Sequence, residues 1–207
     1  MRLLYWTGWL LTRMLSRFVF RMKVYQANNI PPTGPFILAC NHISLADPPV
    51  VGSNISRVLY FMAKKELFDS KIFGRLIRNV NAYPINRRGI DRHAISKACE
   101  LLASGKGLLI FPEGTRSLDR DFLPPRPGIG MVARQSGGPV IPAYLNGTNK
   151  FKATFFGRER CFIIFGKPIG ENEIKNYEDG ADGYRKLSED IMERIKKLKA
   201  NMILNRS

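Results

Sequence analysis

The strongest constraint on the fold of this chain is a series of short, unbroken apolar runs. They fall at Phe36–Cys40, 58–63, Ala82–Ile85, 108–111, 140–145 and 161–165. A strand covered by helices on both faces reads as a continuous apolar run, whereas a strand with one face in water alternates. Amphipathic stretches lie between the runs, at 72–80, 91–103 and 131–135, and a charged one closes the chain at 184–203. In the 91–103 stretch Ile95, Ala98, Cys99 and Leu102 share one side, and Gly105 is placed to end the helix. Strand and helix in alternation predict an α/β fold: a mostly parallel or mixed central sheet flanked by helices, joined by right-handed crossovers. Pro142 inside the 140–145 run predicts a strand end, a bulge or an edge there. A chain of 207 residues suits one such domain.

The start of the chain does not fit this alternation. Leu3, Leu4, Tyr5, Trp6, Trp9, Leu10 and Leu11 are followed by Arg13, Arg17 and Arg21, which recur on one helical face, while Leu4, Leu11, Leu15, Phe18 and Met22 share another. This predicts an amphipathic helix over residues 1–24 lying in a membrane interface, followed by an α/β domain over 25–207. The arginines leave no uncharged run of about 18 residues, which argues against a spanning helix. No small-residue cleavage site follows, which argues against a signal peptide. The formal net charge of +16 calls for an anionic partner: a membrane surface, a phosphorylated substrate or nucleic acid. A nucleic-acid binder needs a basic stripe with stacking aromatics on a recognisable module, and the sequence has none. Three scattered cysteines, Cys40, Cys99 and Cys161, give no disulfide framework and fit a reducing compartment, and the two histidines give no metal-site spacing.

Two stretches carry chemistry, each at the end of an apolar run, where open α/β sheets place their sites. Asn41 and His42 follow Phe36–Cys40, with Asp47 five residues beyond the histidine. An imidazole moves protons near neutral pH, and a carboxylate holds its tautomer and stabilises the cation. The same pair also suits a strand end and a helix cap. The second stretch, Phe111-Pro112-Glu113-Gly114-Thr115-Arg116-Ser117, offers a glycine that lets backbone approach an anion, two hydroxyls, and an arginine able to clamp phosphate. Glu113 is suited to orient an arginine or a substrate hydroxyl. Arg87 and Arg88, just past Ala82–Ile85, read either as a phosphate grip or as a solvated turn. His93 reads as a surface histidine.

Together these stretches resemble the glycerolipid acyltransferases of the 1-acylglycerol-3-phosphate acyltransferase family, over about residues 24–147. The His-x-x-x-x-Asp pattern is matched by His42 and Asp47, the arginine-ended block by Tyr83-Pro84-Ile85-Asn86-Arg87, the Phe-Pro-Glu-Gly-Thr-Arg-Ser block in full at 111–117, and the closing Pro block by Val140-Ile141-Pro142-Ala143. Asn81 stands where glycine is common, and Arg126 where lysine is common. The resemblance implies transfer of a fatty acyl group from acyl-CoA or acyl-carrier protein to the sn-2 hydroxyl of 1-acylglycerol 3-phosphate, giving phosphatidic acid, with glycerol 3-phosphate, another lysophospholipid or a lyso-ornithine lipid as the alternative acceptors. The route it implies is a ternary complex, with no cofactor and no metal. It implies His42 as general base, Asp47 as its orienting carboxylate, and Arg87, Glu113, Gly114, Thr115 and Arg116 at the acceptor site. It also implies attachment at the cytoplasmic face of a membrane. A membrane-attached adaptor that has lost activity is the alternative that the intact motif argues against.

Overall fold

The computed structural model describes residues 2–86, 89–117 and 122–204. In chain order, α1 (Arg2–Phe18), β1 (Lys23–Tyr25), β2 (Phe36–Cys40), α2 (Asp47–Ser53), β3 (Leu59–Lys64), α3 (Lys71–Asn79) and β4 (Ala82–Ile85) make the first half. Then come α4 (Arg92–Ala103), β5 (Gly107–Ile110), α5 (Gly128–Ser136), β6 (Val140–Asn146), α6 (Phe151–Phe155), β7 (Phe162–Phe165), α7 (Glu171–Lys175) and α8 (Ala181–Leu204). The strands form one sheet in the order β1-β7-β6-β2-β5-β3-β4. β2 to β6 run parallel; β7 is antiparallel to β6, and β1 is parallel to β7. The α/β architecture expected from the apolar runs is the one found.

Alternate strand residues point to opposite faces, and the core divides accordingly. On one face Ile37, Ala39, Leu108 and Ile110 pack with Ile95 and Leu102 of α4, Ile129 of α5, and Leu187 and Ile191 of α8. On the other face Phe36, Leu38, Leu59 and Leu109 pack with Val51 of α2. Ala63 and Ala82 pack there with Ile77 of α3, and Phe61 joins the two groups. β2 and β5 are wholly buried, which is why they read as continuous apolar runs.

Three local expectations need comment. The N-terminal helix stops at Phe18, short of residue 24: Arg21 takes a left-handed φ of 46°, and Lys23–Tyr25 leaves the helix to pair with β7. Pro142 lies in an interior strand, opposite Ala39 of β2, at a bulge. Gly166 N–H donates to its carbonyl and the pairing resumes at Val140 with Ile169, so the partner segment takes three steps where β6 takes two. The missing proline N–H therefore faces a break in the ladder. Asn81 adopts φ 67°, a left-handed conformation that glycine enters freely and asparagine tolerates, so the departure from glycine preserves the turn into β4.

Candidate active site

β2 sits between β5 and β6, and the residues that follow these three strands converge. Asn41 clasps β6: its Nδ2 donates to Leu145 O (3.0 Å) and its Oδ1 accepts from Leu145 N–H (2.7 Å). His42 comes next. α2 begins at Asp47, with prolines in its first turn, where a missing N–H costs nothing. The Asp47 carboxylate turns back toward the strand. Its Oδ2 accepts from His42 Nδ1 (2.8 Å), Ile43 N–H (2.7 Å) and Ser44 N–H (2.8 Å), and its Oδ1 accepts from Thr148 Oγ1 (2.5 Å). Asp47 is 0% exposed. An ionised carboxylate only accepts, and all four of its partners donate, which offsets the loss of water around the charge. With the Nδ1–H donated to Asp47, Nε2 is the nitrogen free to take a proton.

The backbone of His42 is held from the β5 side. Glu113 Oε1 accepts from His42 N–H, and Oε2 accepts from Leu123 N–H, both at 2.9 Å. Ser117 N–H donates to His42 O (2.8 Å). The imidazole stacks on Phe111, with ring centres 4.1 Å apart and planes 18° from parallel. Glu113 is buried, and burial pushes its carboxyl above the ordinary range against the pull of the Leu123 and His42 amides. Both its oxygens are engaged with backbone, so in this arrangement it braces the histidine loop.

His42 forms part of the wall of a cavity of about 330 Å³. Met62, Ile95, Leu109 and Ile129 make it largely apolar, and Arg126 and Gly114 stand at one side. Gly114 takes φ 67°, a left-handed conformation that favours glycine, and a Cβ there would displace the Arg126 side chain, whose Cδ lies 2.6 Å away. Its N–H closes the turn onto Phe111 O (3.0 Å), so the glycine contributes space for close approach while its own donor is engaged. Thr115 and Arg116 are exposed and are not among the residues that line this cavity. Arg87 lies outside the described residues. His93 is exposed on α4, as expected.

Thr148, which reaches Asp47 from 101 residues away, is not among the residues that sequence reasoning singles out. Gly147 makes this possible: it turns at φ 89°, and a Cβ there would lie 2.6 Å from Arg160 O. A hydroxyl residue after a glycine at a strand end was the available signal, and it is a weak one. The nucleophiles near the site have other roles. Ser44 Oγ accepts from Ala46 N–H (3.2 Å). Burial, then the charges of Asp47 and Glu113, raise the Cys40 thiol, and burial with the Asp47 charge pushes Cys161 up to about 12. Neither is poised as a thiolate.

An imidazole with its tautomer fixed by a buried carboxylate, beside an apolar cavity, is equipped to deprotonate a hydroxyl. Comparison with known proteins gives the same direction. Residues 21–146 match the family model described as Acyltransferase. The 1-acyl-sn-glycerol-3-phosphate acyltransferase of Bacillus subtilis is 29% identical over 86% of this chain and 87% of its own length. That of Streptococcus pneumoniae is 32% identical over 70% of this chain and 53% of its own length. The crystal structure of the 1-acyl-sn-glycerophosphate (LPA) acyltransferase from Thermotoga maritima superposes with a TM-score of 0.67 at 27% identity, covering 91% of this chain and 80% of that one. The Asp47-held histidine therefore sits in a chain that belongs to the acyltransferase family.

Proposed function

We propose that this protein transfers a fatty acyl group from acyl-CoA or acyl-carrier protein to the sn-2 hydroxyl of 1-acylglycerol 3-phosphate, giving phosphatidic acid. The observation that carries the reading is the 2.8 Å contact between His42 Nδ1 and the fully buried Asp47 carboxylate, at the edge of an apolar cavity. His42 Nε2 takes the proton of the acceptor hydroxyl as its oxygen attacks the thioester carbonyl carbon. The C–S bond then breaks, and the imidazolium returns the proton to the departing thiolate. Asp47 stabilises the imidazolium between these steps. Attack is direct, as the family resemblance implies, with neither Ser44 nor a cysteine acylated; burial holds Cys40 and Cys161 as thiols. Thr115 and Arg116, exposed beside Gly114, take the acceptor phosphate, with Arg87 completing the grip. The apolar cavity receives an acyl chain.

The reaction takes place at a membrane surface. α1 is held to α2 by Trp9 and Arg13: Trp9 Nε1 donates to Gly52 O (3.1 Å) and Arg13 to Ser53 O (2.9 Å), while Arg17 on the same row stays exposed. Leu11 and Phe18 face outward, 67% and 72% exposed. A helix that shows an apolar side with an exposed arginine beside it is suited to acyl chains and headgroups. No described helix is long and apolar enough to cross a membrane.

The test is acyl transfer by the wild type and His42→Ala, using glycerol 3-phosphate, 1-acylglycerol 3-phosphate and a zwitterionic lysophospholipid as acceptors, each with both donors. Loss of a general base predicts a fall of about 100- to 10,000-fold for His42→Ala with 1-acylglycerol 3-phosphate. Transfer to a different acceptor keeps the mechanism and changes the substrate; no transfer to any acceptor from folded protein overturns the reading.

A further inference from the structure

α3 has an apolar side that no described residue fully covers. Ser70 caps it, accepting from Phe73 N–H (3.2 Å), and its inward contacts are made by Gly74 and Ile77, the latter against Phe68, Ala63 and Ala82. Ile72 is 86% exposed, and Phe73 and Leu76 are about half exposed, with Leu67 just before the helix. Lys71, Arg75 and Arg78 flank this ridge on the helix, and Lys64 and Lys65 precede it; the acids in the same stretch are Glu66 and Asp69. Lys64 pairs with Glu66 at 3.6 Å, and the Arg78 guanidinium lies 5.0 Å from the centre of the Phe68 ring. A single exposed apolar residue is ordinary, but a contiguous ridge rimmed by cations marks a contact surface.

Two further observations limit what the contact can be. α3 covers the same sheet face as α2, on which α1 lies, so the outward apolar sides of α1 and α3 both belong to one face. α3 also packs against β4, and the tip of β4 at Ile85, with Asn86 and Ile90 beyond it, lines the cavity that holds His42. A planar partner, apolar within and anionic at its surface, fits both helices at once.

We propose that α3 is a second bilayer contact, with Lys71, Arg75 and Arg78 taking anionic phospholipid headgroups and Ile72, Phe73 and Leu76 entering the acyl region. The protein then rests on the membrane at two places, and the second lies on the side of the cavity formed by β4. The purpose of the contact rests on the lipid-acylation reading above, but its measurement does not. Two weak contacts held on one rigid body reinforce each other, because the first raises the local concentration of the second.

The experiment is flotation of the full-length protein with phosphatidylcholine vesicles, with and without phosphatidylglycerol. It uses wild type, Lys71→Gln/Arg75→Gln/Arg78→Gln, Ile72→Ser/Phe73→Ser/Leu76→Ser, and Leu11→Ser/Phe18→Ser on α1, each checked for fold by circular dichroism. The charge variant is expected to bind phosphatidylglycerol vesicles at least about tenfold more weakly, with a shallower salt dependence. The apolar variant is expected to lose binding to both vesicle types, and each α3 variant to lose more when combined with the α1 variant. Both are expected to keep wild-type turnover of a short-chain, water-soluble acceptor while losing turnover of a bilayer-embedded one. Wild-type flotation by both α3 variants overturns the proposal. So does normal flotation with selective loss of transfer from acyl-carrier protein, which makes α3 a docking surface for that acidic donor. Because flotation is read without turnover, failure of the acyltransferase reading leaves this result standing, and the reverse also holds.

Discussion

Thr148→Val is the sharpest probe of the site. It swaps a hydroxyl for a methyl of the same shape, and it removes the single donor on Asp47 Oδ1, a 2.5 Å contact inside the protein, while the three donors on Oδ2 remain. A hydrogen bond to a charged group contributes about 1.5–3 kcal/mol. If all of it were lost from the transition state, in which Asp47 faces an imidazolium, kcat would fall about 10- to 150-fold at 1.36 kcal/mol per factor of ten. Part of the loss falls equally on the resting enzyme, so a fall of about tenfold is expected, with the larger figure as a ceiling. KM for the acceptor should stay near the wild-type value, because Thr148 stands behind Asp47 and is not among the residues that line the cavity beside His42. Thr148→Ser retains the hydroxyl and should recover most of kcat. The assay is steady-state transfer at saturating donor over a range of acceptor concentrations, well below the melting temperature of each variant. Unchanged kcat in Thr148→Val, equal damage from valine and serine, or a loss confined to KM would each refute the reasoning.

Other consequences follow from the same contacts. Glu113→Gln leaves one of its two backbone N–H partners, the buried one of His42 or the part-buried one of Leu123, facing an amide NH₂, and should cost about 1–3 kcal/mol in urea unfolding as well as lowering kcat through His42. Asp91 caps α4, accepting from Ala94 N–H (3.0 Å) and Asn86 N–H (2.8 Å), so Asp91→Ala should cost about 1 kcal/mol by thermal melt. The Asn86 and Ala94 amides hold its carboxyl below the ordinary range. Its contribution is therefore present above that ordinary range and lost as pH falls through the lowered value, a dependence that Asp91→Ala should lack. The buried thiols act at the other end of the scale. With Cys161 raised to about 12, its contribution is complete below the ordinary thiol value of about 8.5 and is lost as pH rises through 12, so stability measured from pH 8 upward should decline less steeply in Cys161→Ala.

The legible parts of this protein are those with local causes. Phe36–Cys40 and Gly107–Ile110 announce themselves because both faces of an interior strand are apolar. Lys23–Tyr25 does not, because it is a three-residue edge strand created by its pairing with β7. α6 and α7 are five residues each, too short for any periodicity to register. Amphipathicity marked the two sides of α1 without saying which side meets the protein; Arg13 turned inward and Leu11 outward because Ser53 O offered an acceptor. In the site, His42 and Asp47 were legible from five-residue spacing. Glu113 looked like a ligand for substrate because residue type says nothing about whether two backbone amides already occupy it, and Thr148 depends on a strand neighbour that no spacing encodes.

The place of β2 in the sheet has a consequence for how the protein is made. Its two neighbours, β5 and β6, come from far later in the chain, and the Asn41 clasp to Leu145 and the Thr148 contact with Asp47 form only once residues beyond 140 are in place. Contacts of such sequence separation close slowly, after the loop entropy has been overcome. A chain emerging from the ribosome thus carries His42 and Asp47 for most of its synthesis without the frame that holds them. On the proposal that α1 and α3 meet the bilayer, both are synthesised before that frame exists, and attachment would precede activity.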